Sequence, residues 1–247
     1  MDKSIYTAMS GAVRTLTAQS TVSNNLANAS TVGFRAELAM AKTAPLDGAG
    51  LPTRVASTFG GAAFDPSAGT LMTTERPLDV AVRGNGWIAV QDGNGETAYT
   101  RNGELQIDAL GQLMTNRGEL VLGEGGPVAI PPNESVTIGD DGTISVIPQG
   151  QGAVVQATVD RIRVDAVQPQ DMRRGDDGLF RPVEDAAVEP VAGASLSVGT
   201  LESSNVNLAQ SLVDMIALSR QFELQVKAIR SADDNAQAAA AVMRING

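Results

Sequence analysis

Apolar side chains recur at two different periods along this chain, and the change of period divides it. Between residues 3 and 28, Ile5, Met9, Ala12, Leu16, Gln19, Ser23 and Leu26 fall on an alternating four–three spacing, the seam of a helix that packs on another helix. Ala8, Val13, Ala18 and Val22 widen the seam, and its polar members make it leaky. A Ser/Thr/Asn cluster ahead of Val32-Gly33 stops the helix near Asn28. At the other end Leu212, Met215, Ser219, Phe222, Val226, Ile229, Asp233, Ala236, Ala240 and Met243 hold a three–four spacing for over four heptads. Asn205 or Asn207 can cap its start, and Glu223 and Lys227 form an i,i+4 pair in the favourable order. No Gly or Pro falls between Val206 and Ile245, so the sequence predicts an unbroken helix roughly 60 Å long at ~1.5 Å per residue.

From Leu71 to about Leu201 the period is two. Leu78, Val80 and Val82 alternate with Asp79 and Ala81; Leu105 and Ile107 alternate with Gln106 and Asp108. The pairs Val136 and Ile138, then Ile144 and Val146, repeat the pattern. Turn signals separate these runs at 92–95, Asn102-Gly103, Leu110-Gly111, Arg117-Gly118 and Asp141-Gly142. Short strands at intervals of about ten residues, with no helical pattern between them, predict an antiparallel all-β domain rather than βαβ units. Residues 36–70 belong to neither pattern. Pro45, Gly48, Gly50, Pro52, Gly60, Gly61, Pro66 and Gly69 mark them as a linker or extension, either plainly flexible or ordered in an assembly.

The predicted fold class is therefore α+β, with long N- and C-terminal helices flanking a central antiparallel all-β domain. The segments are 1–35 (N-terminal helix and its trailing motif), 36–70 (linker or extension), 71–201 (β domain) and 202–247 (C-terminal helix, partner of the first). The two helices can pair within one molecule. Alternatively they associate with other subunits as coiled coil, which accounts for both ends together. The pattern favours association, because neither seam buries enough to offset its own ordering entropy.

Charge agrees with that division. The net charge is −10; residues 1–45 carry +2 and residues 206–247 carry 0, which leaves −12 on 46–205. Near-neutral ends suit packing between copies, and an acidic middle suits water. A basic footprint for nucleic acid is missing. With no Cys and no His, disulfides, thiolate or imidazole metal sites and the Ser/His/Asp or Cys/His catalytic sets are excluded. No apolar run is long enough to span a bilayer, and Met1-Asp2-Lys3-Ser4-Ile5-Tyr6 lacks the apolar stretch of a secretory signal, so composition alone predicts a soluble, cytoplasmic protein.

Several motifs imitate chemistry. Gly84-Asn85-Gly86-Trp87-Ile88-Ala89 fits G-x-G-x-x-A but runs into a strand instead of the helix a pyrophosphate needs. Residues 92–96 alternate oxygen ligands as a calcium loop does, yet position twelve is Gly103, which makes a hairpin turn the better reading. Gly123-Glu124-Gly125-Gly126 lacks the Lys-Ser/Thr of a phosphate loop. Asp140-Asp141, Asp176-Asp177 and Glu184-Asp185 are adjacent acids of turns, whereas glycosidase chemistry needs two carboxyls across a cleft. A carboxylate hydrolase acting on cell-wall glycan remains the best enzyme reading such a composition leaves open. A binding module that dimerises through its last helix is a further class.

Ala8-Met9-Ser10-Gly11, then Ser23-Asn24-Asn25-Leu26-Ala27-Asn28-Ala29-Ser30-Thr31-Val32-Gly33-Phe34-Arg35, closely resembles the signature of flagellar rod and hook proteins. Pro77-Leu78-Asp79-Val80-Ala81-Val82, Tyr99-Thr100-Arg101-Asn102-Gly103-Glu104-Leu105 and Asp141-Gly142-Thr143-Ile144-Ser145 resemble that family's central segment. Glu202-Ser203-Ser204-Asn205-Val206-Asn207-Leu208-Ala209, Leu212-Val213-Asp214-Met215-Ile216 and Arg220-Gln221-Phe222-Glu223 resemble its C-terminal block. The opening residues look most like the proximal-rod branch, with a distal-rod or hook-type subunit as the alternative. The Ala-rich run 236–241 departs from relatives that carry larger apolar residues there. The resemblance implies a structural, non-enzymatic subunit without cofactor, catalytic residues or metal. It would be exported through the flagellar export apparatus without a cleaved signal. It would assemble in the periplasm with itself and other rod proteins, its terminal helices forming an inner coiled-coil layer. The residues expected in that assembly interface are Ile5, Met9, Leu16, Asn24, Asn25, Leu26, Asn28, Phe34, Leu212, Met215, Phe222, Val226 and Ile229.

Overall fold

A computed structural model of the chain describes residues 3–45, 55–149, 156–184, 186–193 and 195–245, with backbone alone over 3–8, 41–45, 55–62, 236 and 239–245. The chain forms two compact bodies, one of Met1–Ala29, Ala36–Phe64 and Val206–Gly247, the other of Ser30–Arg35 and Asp65–Asn205.

The first body holds two helices and a hairpin. Helix α1 spans Lys3–Ala27 and helix α2 spans Leu208–Ile245. Asn207 caps α2: its side-chain oxygen accepts from the Gln210 amide at 3.1 Å, satisfying one of the free N–H groups of the first turn. Asn205, the other candidate cap, is engaged elsewhere, donating to the carbonyls of Asp65 and Ser67 in the second body. The linker expectation for 36–70 is corrected by strands β1 (Glu37–Pro45) and β2 (Val55–Phe64), which pair antiparallel from Glu37↔Phe64 to Pro45↔Val55. Gly60 and Gly61 read as chain breakers in sequence, but a two-stranded ribbon is held by backbone hydrogen bonds that glycine supplies as well as any residue. Gly48, Gly50 and Pro52 of that linker reading lie outside the described residues.

The second body is antiparallel β throughout its strand pairs. Its largest sheet runs Met172–Arg174, Phe180–Pro182, Thr97–Thr100, Gly86–Gln91, Leu120–Val121, Leu113–Thr115 and Leu105–Ile107 in spatial order. Val164–Ala166 also pairs with Gly86–Gln91. Asn133–Ile138, Thr143–Pro148 and Ala157–Arg161 make a separate three-stranded meander. Ile88, Val90, Leu105, Leu113, Val121, Val128, Ile144, Ile162 and Leu196 join in one buried cluster. Alternation is cleanest where one strand face meets water, as at Leu105 (buried), Gln106 (exposed) and Ile107 (half-buried). It fails at Val80–Val82 and Gly86–Ala89, where both faces are covered, so that even Asp79 and Ala81 are buried.

Most of the predicted turns form, and the glycines explain them. Gly95, Gly111, Gly118 and Gly142 all take φ between 83° and 97°, the left-handed region that side chains resist. Asn102-Gly103 differs. Gly103 is there for close approach, since a Cβ on it would stand 1.6 Å from the Val80 carbonyl oxygen. The Gly84-Asn85-Gly86 motif is a turn leading directly into strand Gly86–Gln91, not into a helix.

The loops carrying acidic residues are pinned by arginine. Arg181 reaches Asp92 at 2.6 Å and Asp177 at 2.7 Å, joining two turns. The Asp92 carboxylate also accepts from the amides of Asn94 and Glu96, both at 2.9 Å. Its role is an Asx turn, as the hairpin reading expects. Arg181 hydrogen-bonding holds both carboxyls below their usual range. A carboxylate whose folded pKa lies below its unfolded value stabilises the protein at pH above the unfolded value of about 3.9, and that contribution disappears as pH falls through the folded value. Arg181→Gln is expected to lower stability at neutral pH, with the difference from wild type shrinking as pH falls below about 4 and through the lowered folded values. Urea unfolding of both proteins across pH 2.5–7 (a range chosen to bracket carboxylate titration, roughly) measures it, and a pH-independent gap would refute the assignment.

Candidate assembly site

A helix that serves an assembly must present side chains its own molecule does not cover. On α1 the covered residues are small: Ala12 and Thr15 are buried, Thr15 donates to the Gly11 carbonyl at 3.0 Å, and its hydroxyl lies 3.1 Å from Gln225 Oε1 of α2. A Cβ on Gly11 would come within 3.1 Å of the Gln225 side chain, so this is a close approach between the two helices. The large residues point elsewhere: Met9, Val13 and Leu16 are 51%, 59% and 49% exposed. On α2 the partly covered stripe is Met215, Leu218, Phe222, Gln225, Val226 and Ile229. Leu218, rather than the Ser219 of the seam read from spacing, faces inward. Leu208, Leu212, Val213, Ile216 and Leu224 stay exposed, Leu212 at 46%. Thus α2 carries apolar residues on two sides, and only one is covered by its own chain.

The residues of the N-terminal signature divide by role. Asn25 is buried and reads the backbone of Glu37, donating to its carbonyl at 2.8 Å and accepting from its amide at 2.7 Å. Only a carboxamide offers a donor and an acceptor in that arrangement. Asn28 donates to the Asn24 carbonyl at 2.9 Å, closing the last turn of α1. Leu26 is half-buried and Asn24 exposed. Ile5 lies on α1, with its side chain outside the described residues. Phe34 is buried, with the Arg174 guanidinium 4.3 Å over its ring. Asn25, Asn28 and Phe34 therefore have intrachain work, while Met9, Leu16 and Leu212 present free apolar surface.

Spacing did not reveal a buried ion cluster in the second body. Glu202 lies between Arg35, at 2.7 Å, and Arg101, at 3.4 Å, and all three are at most 5% exposed. Glu202 also accepts from the Gly69 amide at 2.9 Å. The Arg35 guanidinium donates to the Ser67 carbonyl, and Arg101 donates to the carbonyls of Val82 and Gly84. Burial pulls the Arg101 pKa down to about 10; Glu202 opposes that shift and the neighbouring Arg35 adds to it. Backbone contacts reinforce the cluster: the Gly33 amide donates to the Glu202 carbonyl at 2.7 Å, and the Asn205 amide to the Phe34 carbonyl at 3.3 Å. Gly33 has φ +68°, and a Cβ there would stand 2.3 Å from the Arg101 backbone. Residues 33–35 and 202–205, from opposite ends of the sequence, are stitched together here.

Three of the paired acids are held in local contacts. Asp140 pairs with Arg83 at 3.6 Å, Asp141 accepts from the Thr143 amide and hydroxyl, and Asp177 binds Arg181. Asp185 lies outside the described residues. Removing the carboxylate of the buried cluster should be severe. Glu202→Gln removes the one carboxylate that contacts both buried guanidiniums and is expected to cost about 3–5 kcal/mol in chemical denaturation. A loss below about 1 kcal/mol would mean water or another acid compensates the arginines.

Three family models match in chain order. Flagella basal body rod protein covers residues 5–35, Flagellar hook protein FlgE/F/G D1 domain covers 81–146, and Flagellar basal body rod FlgEFG protein C-terminal covers 197–242. The chain is 46% identical to the flagellar basal-body rod protein FlgF of Escherichia coli (strain K12), over 96% of both chains. It is 44% identical to FlgF of Salmonella typhimurium, over 95% of this chain and 96% of that one. To the flagellar basal-body rod protein FlgG of Bacillus subtilis (strain 168) it is 32% identical, over 95% and 96%. With its N-terminal signature, its β body and its C-terminal block all accounted for, the chain belongs to the flagellar basal-body rod protein family, a family of structural subunits of the basal body.

Proposed function

We propose that this protein is a structural subunit of the flagellar proximal rod, which polymerises through its terminal helices into the drive shaft that carries torque from motor to hook. The observation that carries this reading is the apolar surface left on both helices of a single chain, Met9, Val13 and Leu16 on α1 with Leu208, Leu212, Val213 and Ile216 on α2. Surface of that kind, continuous along a helix, is a seam awaiting other helices. In this reading the terminal helices form the inner coiled-coil layer, residues 71–201 the outer body and 36–70 an extension. The interface set Ile5, Met9, Leu16, Asn24, Asn25, Leu26, Asn28, Phe34, Leu212, Met215, Phe222, Val226 and Ile229 acts in two groups. The exposed apolar members contact neighbours, and Asn25, Asn28 and Phe34 hold the geometry that presents them. Periplasmic placement and delivery by the flagellar export apparatus rest on family membership. The greater identity to FlgF than to FlgG favours the proximal over the distal rod.

Electron microscopy of basal bodies from a strain lacking the gene tests the role directly. Rods arrested before the distal segment and hook support it, and complete, normal flagella overturn it. Leu212→Asp separates assembly from folding. Because Leu212 is already half exposed in the single chain, its replacement should shift monomer stability by no more than about 0.5 kcal/mol. A charge buried without a partner between packed helices costs several kcal/mol, so incorporation into rods should fall by about 100-fold or more. Motility of the L212D strain and thermal melting of the purified protein are the two measurements; normal motility places Leu212 outside any subunit interface.

A further inference from the structure

Two buried arginines share one glutamate in the second body, and a recess of about 410 Å³ opens beside them. Arg35, Leu71, Arg83, Asn85, Arg101 and Glu202 are among the residues that line it. The Nη atoms of the two buried arginines are engaged by Glu202 and by the carbonyls of Ser67, Val82 and Gly84, whereas Nε of each has no hydrogen-bond partner among the described residues. Glu202 is the one carboxylate in contact with both guanidiniums, which are 2% and 5% exposed, and Asp65 acts on Arg35 only through space. At the recess wall Arg83 adds a third cation, half exposed and only loosely paired with Asp140 at 3.6 Å. Three guanidiniums therefore line the recess against one carboxylate, and the group it suits is an anion.

We infer that this recess receives one carboxylate side chain from a neighbouring copy of the chain. The ligand class follows from the guanidiniums, whose planar forks match carboxylate geometry, and from a lining in which three cations meet one acid. The volume lies in the range of a ligand pocket and exceeds what a lone bound ion fills. The source follows from charge distribution. Residues 46–205 carry −12, so a basic recess on this body is the exception on an acidic surface, and every copy offers acids to it. This assignment of the occupant rests on the rod reading, because neighbouring copies exist only in an assembly; the basic recess does not depend on it.

The test uses the full-length protein with ¹⁵N-labelled arginine side chains, titrated with N-acetylglutamate amide, with N-acetylglutamine amide as neutral control and sodium phosphate as inorganic anion. The Nε–H resonances of Arg35 and Arg101 are expected to move saturably with the glutamate derivative and not with glutamine. Arg83→Glu, an exposed change whose folding an unaltered backbone spectrum verifies, should weaken the apparent affinity at least about threefold, with Arg83→Gln in between. In cells the R83E chain should enter rods less efficiently than wild type. Resonances that stay still, or that respond equally to glutamine or to phosphate, overturn the carboxylate site. Probe binding lost in R83E while rods of R83E cells assemble normally overturns the neighbouring copy as its source. If the deletion strain itself builds normal rods, the rod reading fails instead, and the titration still decides whether the recess binds a carboxylate.

Discussion

In the second body the two ends of the sequence meet at Glu202. Its carboxylate is held at 2.7 Å by Arg35 from the N-terminal signature and at 3.4 Å by Arg101, which follows strand Thr97–Thr100, while its backbone carbonyl takes the Gly33 amide. A single residue of the C-terminal block thereby binds the last residues of the N-terminal motif and the body between them. The energetics are asymmetric. An assembled buried ion cluster adds little net stability over an apolar one, yet losing one member leaves charges that nothing solvates. Such a cluster works less as glue than as a register: the chain folds with 33–35 beside 202–205, or it strands a charge.

That register depends on glycine as much as on charge. Gly33, Gly69 and Gly103 each sit where another segment's backbone passes so near that a Cβ would fall 2.3, 1.8 and 1.6 Å from it. The chain has only eight aromatic residues, so it gains density by letting backbones approach. The one tryptophan fits this economy. Trp87 is fully buried, 4.7 Å from the Phe180 ring, with Arg101 5.1 Å above it, and so joins the apolar core to the ion cluster.

Local signals were legible in the sequence and long-range ones were not. The stop of α1 was expected near Asn28 and comes at Ala27, and Asp141-Gly142 is the turn its residues announce, because helix stops and tight turns are decided within a few residues. The β1–β2 hairpin was missed, since Gly, Ala and Pro speak against strands individually while a partner strand overrides them. On α2 the spacing puts Ser219 inward, where Leu218 turns in instead, while Met215 and Phe222 on either side are partly covered; adjacent positions lie about 100° apart around a helix, and the contact, not the spacing, decides which of the two faces it. Arg35, Arg101 and Glu202 stood inside recognisable motifs, but nothing in spacing shows that residues so far apart share a charge. Burial of Asp79 was equally invisible, for it follows from both faces of its strand being covered.

The helices present the converse situation. Helix α2 has too many apolar residues for one partner: covering Met215, Leu218, Phe222 and Val226 leaves Leu208, Leu212, Val213 and Ile216 in water, at a cost that grows with each exposed side chain. On α1 the balance is more extreme, since its small residues are turned toward its own chain and Met9, Val13 and Leu16 away from it. For a protein selected as a monomer this arrangement is inverted, because large apolar residues gain most from burial and small ones least. For the axial subunit proposed above it is coherent. Small residues let a chain's own helices approach closely, and in that proposal the large ones are left for neighbours, so that hydrophobic burial would come with incorporation. In the same proposal, polar interruptions such as Gln19 and Ser23 keep any one seam weak, so that stable packing would need several helices at once rather than a single stray copy.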